Sequence, residues 1–558
     1  MTGGTVSSPP AGTSLGVMPM IRLQISPRVF RGVSPLSVLL LAILGWSTLG
    51  SGLALETAGS PSGSLLLAPS AGSDDLLREF KKYFRKYKDP ASRVEAVLAL
   101  EGQTDPEVVK ILEPILRDKD PAVVSAAVGV LAGLTHPACQ TAIIELLASS
   151  SKEPVRLGIL RVLAFGALDH DGAAVRECLV DRSWQVRRRA AMALVALNQQ
   201  EFIPDLLLLC EDKEVAVRCT ALDGLTTMKA DEVRAPASAL LTDEAWQVRA
   251  SAIAALGTVR HRDSIPLLIE RLKLEDGRLA DDAIAALEYL TARAFGPRIE
   301  LWERFWTQYK DRYQIPTEAE LAKLAKRREE LKAIYQPVPG EATTYHGIQS
   351  KSRKVLFVID VSGSMESEVV EKDRFKDGGY PSYSRMDIVK TELARTIDGL
   401  PKETMFNILS FATKVRPWKK KLVKANVLSK SSAMEWTSKL EPLGGASNND
   451  LASVGLVGTA NLGAGRTNTW GALSWALAMD AEAKRDPYLL DVDTIFFLSD
   501  GRPTHGKIVD IEDILKGVQE ANDLRKVVLH TIAIGEFQKT FMMRLAQNNG
   551  GVFVDLGR

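Results

Sequence analysis

The stretch Val355–Ser364, VLFVIDVSGS, decides how the C-terminal part of this chain folds. Val355, Leu356, Phe357, Val358 and Ile359 form an unbroken apolar run, the pattern of a strand buried on both faces of a parallel sheet. The run ends in Asp360, Ser362 and Ser364, a carboxylate and two hydroxyls on alternate residues of a tight turn that contains Gly363. These are hard oxygen donors, suited to a hard divalent cation such as Mg²⁺. The carboxyl end of a strand is also where open α/β sheets place their ligands.

Two later segments extend the set. Gly465-Arg466-Thr467-Asn468-Thr469 opens a helix expected to continue over Trp470–Ala481, and Thr467 offers a further hydroxyl. A second buried strand, Asp493–Leu498, runs into Ser499-Asp500-Gly501 and brings another carboxylate to a strand end. Together the three pieces resemble a von Willebrand factor A domain and its metal-ion-dependent adhesion site. The family's Asp-x-Ser-x-Ser, distant Thr and distant Asp-Gly fall on Asp360, Ser362, Ser364, Thr467 and Asp500, with no substitution. The resemblance covers about Tyr345 to Arg558 and implies a doubly wound, Rossmann-like α/β sandwich. It also implies that Ser362, Ser364 and Thr467 contact the ion by their hydroxyls. Asp360 and Asp500 would then act through waters or at longer reach, leaving a position for a partner's Glu or Asp. Mg²⁺ is the expected ion and Mn²⁺ an acceptable substitute; zinc is disfavoured without His or Cys donors.

The rest of this region alternates in the way such a sheet requires. Strands are expected at Val355–Val361, Met405–Phe411, Val415–Trp418, Thr494–Leu498, Val527–Ile534 and Gly551–Asp555. Helices are expected at Arg385–Ile397, Val427–Leu440, Thr469–Ala483, Ile511–Asn522 and Thr540–Gln547. Thr469 reads as a helix cap, His505 as a loop histidine in solvent, and Lys419, Lys420, Lys421 and Lys424 as a solvated edge. Two insertions, 366–384 and 444–465, flank the donor residues in sequence. A phosphate-binding GxGxxG or GxxxxGK[ST] is missing, so a nucleotide site has little support.

Upstream lies a repeat. Val155, Val186, Val217, Val248 and Leu279 stand at equal intervals, each followed four residues on by Ile159, Ala190, Ala221, Ala252 or Ala283. Eight residues on come Leu163, Leu194, Leu225, Leu256 and Leu287, which completes one helical face in each copy. The pattern resembles an all-α HEAT-type solenoid over 76–310, in which each helical pair is covered by its neighbours. Asp181, Asp212 and Asp243 each precede an arginine, Arg187, Arg218 or Arg249, by the same interval. They are expected to form a structural Asp–Arg ladder within or between repeats. Arg188 and Arg189 stand outside that ladder and read as a surface contact. Trp302, Phe305, Trp306 and Tyr309 share a helical face expected to cap the solenoid. A charged helical linker, 311–344, then leads to the A domain at 345–558.

A chain of 558 residues with 46% hydrophobic and 25% charged residues is a multidomain globular protein. Its net charge of +1 points to no nucleic-acid partner. Residues 1–54 carry Arg22, Arg28 and Arg31, no Asp, Glu or Lys, and an apolar stretch from Leu36 to Leu49 before Gly52-Leu53-Ala54. They read as a signal peptide or an N-terminal membrane anchor, followed by a flexible leader over 55–75. Either reading puts the chain in the periplasm, the cell envelope or the medium. Cys139, Cys178, Cys210 and Cys219 are too few for a disulfide scaffold and read as buried thiols. The expected function is non-enzymatic: recognition of a protein partner that offers an acidic residue to the metal, aided by the solenoid surface. The alternative is a metal-dependent hydrolase using the same carboxylates, although the sequence has neither a Ser/His/Asp set nor HExxH.

Overall fold

The computed structural model describes residues 71–165, 172–334, 343–444, 465–479, 491–535 and 539–556. The expected export leader, the Pro337–Gly340 break and most of the 444–465 insertion lie outside these residues. An all-helical repeat region is followed by a mixed α/β sheet domain, as the sequence patterns require. Among the described residues no helix is long and apolar enough to cross a membrane.

The repeat positions are the solenoid core. Val155, Val186, Val217 and Val248 are completely buried, and so are Ala190, Ala221, Ala252 and Ala283. Alanine at this position lets successive helices, such as Trp184–Leu197, Val215–Thr227 and Trp246–Val259, pack closely side by side. The arginine ladder runs between adjacent repeats. Arg187 donates to both carboxylate oxygens of Asp212 at 2.7 and 2.8 Å, and Arg218 does the same to Asp243 at 2.9 and 3.0 Å. Each guanidinium also donates back to the carbonyl of its own repeat's aspartate, Asp181 or Asp212, at 2.8 Å. One side chain thus ties two repeats together and satisfies a carbonyl at a helix start. Arg249 continues the ladder onto Glu275 at 2.6 Å. The aromatic face caps the end: Trp302 is completely buried and stands edge-on to Phe295 at 4.8 Å. All four cysteines are buried and unpaired, and burial pushes the Cys210 and Cys219 thiols up to about 12.

A short hairpin, β1 (Thr343–Tyr345) and β2 (Ile348–Ser350), precedes the main sheet and falls where only a linker and a domain start were expected. The sheet contains β3 (Lys354–Asp360), β4 (Met405–Phe411), β5 (Val415–Pro417), β6 (Val423–Lys424), β7 (Thr494–Ser499), β8 (Val528–Ala533) and β9 (Phe553–Asp555). Its order is β5-β4-β3-β7-β8-β9, with β6 pairing the amino end of β4. Strands β4, β3, β7, β8 and β9 run parallel, while β5 and β6 are antiparallel to β4. Burial on both faces explains the apolar run of β3. Val355, Phe357 and Ile359 pack against one layer with Ile388 and Leu393, and Leu356 and Val358 against the other with Leu473 and Ile514. The chain leaves β3 towards β4 and later returns to β7 on the opposite side. The strand order therefore reverses beside β3, where such sheets form their ligand crevice.

The solenoid grips the sheet domain at the other pole. Lys526, just before β8, pairs with Asp223, and Lys351, just before β3, pairs with Asp281 at 3.5 Å. Arg189 and Arg161 meet Glu520 on the helix Ile511–Arg525 at 3.2 and 3.8 Å. The surface contact read for Arg188 and Arg189 is thus made within the chain in the case of Arg189, while Arg188 donates to Thr220 at 3.1 Å. These contacts cluster near the amino ends of the parallel strands and leave the carboxyl ends facing away.

Candidate metal centre

Asp360 ends β3 and Asp500 follows β7 directly, so two paired parallel strands bring both carboxylates to one end of the sheet. Both are buried, Asp360 completely. Ser362 donates its backbone N–H to Asp360 Oδ1 at 2.8 Å, which fixes the turn. Ser362 Oγ lies 3.2 Å from Ser364 Oγ, and Ser364 Oγ donates to Asp500 Oδ1 at 2.8 Å. Thr467 arrives from the far side on the segment before the helix Thr469–Ala476. An ideal Cβ placed on Gly501 would lie 3.1 Å from Thr467 Oγ1 and 3.6 Å from Ser364 Oγ. The absent side chain at Gly501 is what lets the Thr467 hydroxyl approach the Asp500 turn so closely. All five residues named from the sequence are therefore gathered in one place.

Several residues position this set. Ser499 Oγ donates to Asp360 Oδ2 at 2.5 Å and accepts the Gly501 N–H at 3.2 Å, lacing the two strand ends together. Thr467 is held by its backbone: its N–H donates to Thr504 Oγ1 at 2.9 Å, and its carbonyl accepts from the Thr504 and His505 N–H groups at 3.0 and 3.2 Å. The turn after β3 is tied to the same segment, since Gly363 N–H donates to the Gly465 carbonyl at 3.1 Å. The neighbouring cap is Asn468, whose side chain accepts the Gly471 N–H. Thr469 is the first helical residue, is buried and leaves its hydroxyl without a hydrogen bond among the described residues, so the capping role expected of it is corrected. Arg385, which no motif singled out, donates Nη1 to Asp500 Oδ2 at 2.6 Å.

The electrostatics fit a cation. Burial, reinforced by the neighbouring Asp500 charge, pushes the Asp360 carboxyl up to about 7. Two buried carboxylates facing one site repel each other, and a positive ion among them relieves both the repulsion and the cost of burial. No three His, Cys, Asp and Glu side chains gather as a metal cluster among the described residues. The donor set here is instead two carboxylates with three hydroxyls, oxygen throughout, which suits Mg²⁺ and leaves room in its six-fold shell.

The 366–384 insertion is described. It contains the short helical stretch Lys372–Gly378, buries Phe375 and bridges Glu368 to Ser384. Tyr380 anchors it by donating to Glu392 at 2.9 Å.

Comparison with known proteins finds HEAT repeats at residues 77–164 and 203–288. A von Willebrand factor type A domain is found at 379–453 and 455–555. Thr467 and Asp500 fall inside the second match, whereas Asp360, Ser362 and Ser364 lie upstream of it. The human inter-alpha-trypsin inhibitor heavy chain H4 is 26% identical over 209 residues, 37% of this chain and 18% of that protein. The human heavy chain H6 is 27% identical over 210 residues, 37% of this chain and 13% of that protein. The matched region thus spans under a fifth of these relatives. Among solved structures, a von Willebrand factor type A protein from Catenulispora acidiphila is 15% identical over 37% of this chain and 39% of its own, with a TM-score of 0.24. BatB from Bacteroides thetaiotaomicron is 14% identical over 36% of this chain and 88% of its own, with a TM-score of 0.23.

Proposed function

We propose that the chain is a non-enzymatic binding protein whose A domain holds a partner's carboxylate through a divalent cation, Mg²⁺ with Mn²⁺ as a substitute. The observation that carries this reading is the convergence of Asp360, Asp500, Ser362, Ser364 and Thr467 where the strand order reverses. When bound, the ion supplies an electrophilic centre able to accept one more oxygen ligand. Asp360 and Asp500 supply the opposing charge, and the three hydroxyls supply neutral donors. Ser499 keeps Asp360 aimed into the site, and Thr504 holds Thr467 against it. With so few carboxylates the loaded site remains receptive to an acidic side chain from outside.

The presence of an A domain together with HEAT repeats supports a protein-interaction role. The solenoid contributes an extended surface of its own at the pole opposite the metal site. The basic-then-apolar leader supports action outside the cytoplasm, in the periplasm, envelope or medium.

Capture from an envelope extract with the full chain as bait tests this reading. A specific partner is expected in Mg²⁺ and lost in chelator, and lost equally with Asp360→Ala bait in Mg²⁺. A partner retained under both conditions would place binding on the solenoid and remove the metal from the function.

A further inference from the structure

Arg385 is the first residue of the helix Arg385–Gly399, fixed by Ser384, whose side chain accepts the Asp387 N–H. Its own N–H donates to the Ser367 carbonyl at 3.0 Å. The side chain does not run into solvent. It reaches across to Asp500, where Nη1 lies 2.6 Å from Oδ2 and 3.3 Å from the Ser364 carbonyl. The side chains of the pair are 10% and 0% exposed, so this is a buried ion pair. The fold makes room for it. A Cβ on Gly535, just past β8, would stand 3.3 Å from Arg385 Cζ and Nη1 and 3.1 Å from the Asp500 carbonyl. Burying a guanidinium is costly, and here its Nε lacks a hydrogen-bond partner among the described residues. A purely structural ion pair would gain little from such a placement.

Both oxygens of Asp500 are thereby engaged, Oδ1 by the Ser364 hydroxyl and Oδ2 by Arg385. Asp500 is partly neutralised before any metal arrives. With both carboxylates ionised, the one guanidinium leaves a single net negative charge among these three side chains, and a divalent cation turns this into a single net positive charge. Without Arg385 the loaded site would be neutral.

Resting on the metal-site reading above, we propose that Arg385 is the residue that sets the site's specificity. It holds Asp500 back from the cation, lowering metal affinity, and in return keeps the loaded site positive and selective for an anionic ligand. The role is that of a positioning residue, exerted through Asp500, with a long-range contribution from its own charge.

The prediction is that two readouts move in opposite directions. Arg385→Met keeps the apolar stem and removes the charge; Arg385→Lys keeps the charge. Mg²⁺ alone is titrated into each full-length protein by calorimetry, and an oligoglutamate peptide is then titrated in saturating Mg²⁺. Arg385→Met should bind Mg²⁺ about tenfold more tightly and the peptide at least about tenfold more weakly, with Arg385→Lys close to wild type on both. Arg385→Gln carries the same expectation should the Met variant not fold. Parallel loss of Mg²⁺ and peptide binding in a folded variant would make Arg385 a structural brace and overturn the proposal, as would unchanged affinities. A wild-type chain that takes up no Mg²⁺ would remove the metal-site reading itself; wild-type uptake without the opposed shift would remove only the role of Arg385.

Discussion

Gly501 illustrates how single positions govern this site. A methyl group there would press on Thr467 Oγ1 and touch Ser364 Oγ, yet the residue has ordinary backbone angles that alanine can adopt. Gly501→Ala should therefore weaken Mg²⁺ binding about tenfold while changing stability by roughly 1 kcal/mol or less, measured by calorimetry and thermal unfolding. That these five residues gather at one end of the sheet was legible in the sequence because their spacing in a turn and at strand ends is itself the signal. Ser499, Arg385 and Thr504 were not. Each acts across the fold on a residue distant in sequence, and no local spacing announces such a contact. Asn468 won the capping position from Thr469 because its amide oxygen reaches the Gly471 N–H, a choice between adjacent polar residues that propensity does not make.

At the scale of elements, periodicity served well where it was strong. The equal intervals of Val186, Val217 and Val248 located the buried face of the solenoid, and the apolar run before Asp360 located the central strand. Short elements escaped. The hairpin β1–β2 and strand β6 are two or three residues each, below the length at which a period of two can be read; β6 lies at the sheet edge within the exposed basic run of Lys419, Lys420, Lys421 and Lys424. The Asp–Arg ladder is legible in the sequence without its register: Arg187 and Arg218 bond the aspartate of the following repeat, Arg249 bonds Glu275 instead, and each also bonds a carbonyl of its own repeat. Arg218→Ala strands Asp243, only 8% exposed, and frees the Asp212 carbonyl. It should cost about 3 kcal/mol and lower the solenoid's Tm by on the order of 5–10 °C, leaving Mg²⁺ binding unchanged. An unaltered Tm would show that packing of the alanine face alone holds the repeats together.

Across the whole molecule, the solenoid holds the A domain near the amino ends of its strands, through Lys526–Asp223, Lys351–Asp281 and the arginines on Glu520. The two buried carboxylates stand at the opposite, carboxyl end of the sheet, away from these contacts. Combining Asp223→Ala with Glu520→Ala should loosen the two domains, seen as separate calorimetric unfolding transitions, without altering Mg²⁺ affinity. An affinity change would mean that the solenoid acts on the metal pole through the sheet. The proposed function stands on that metal pole. Its most direct test is titration of Mg²⁺ into the full chain and into Asp360→Ala, with thermal unfolding of both as the control for folding. We predict one Mg²⁺ per wild-type chain and none in a folded Asp360→Ala; equal uptake by the two proteins, or none by the wild type, would contradict it.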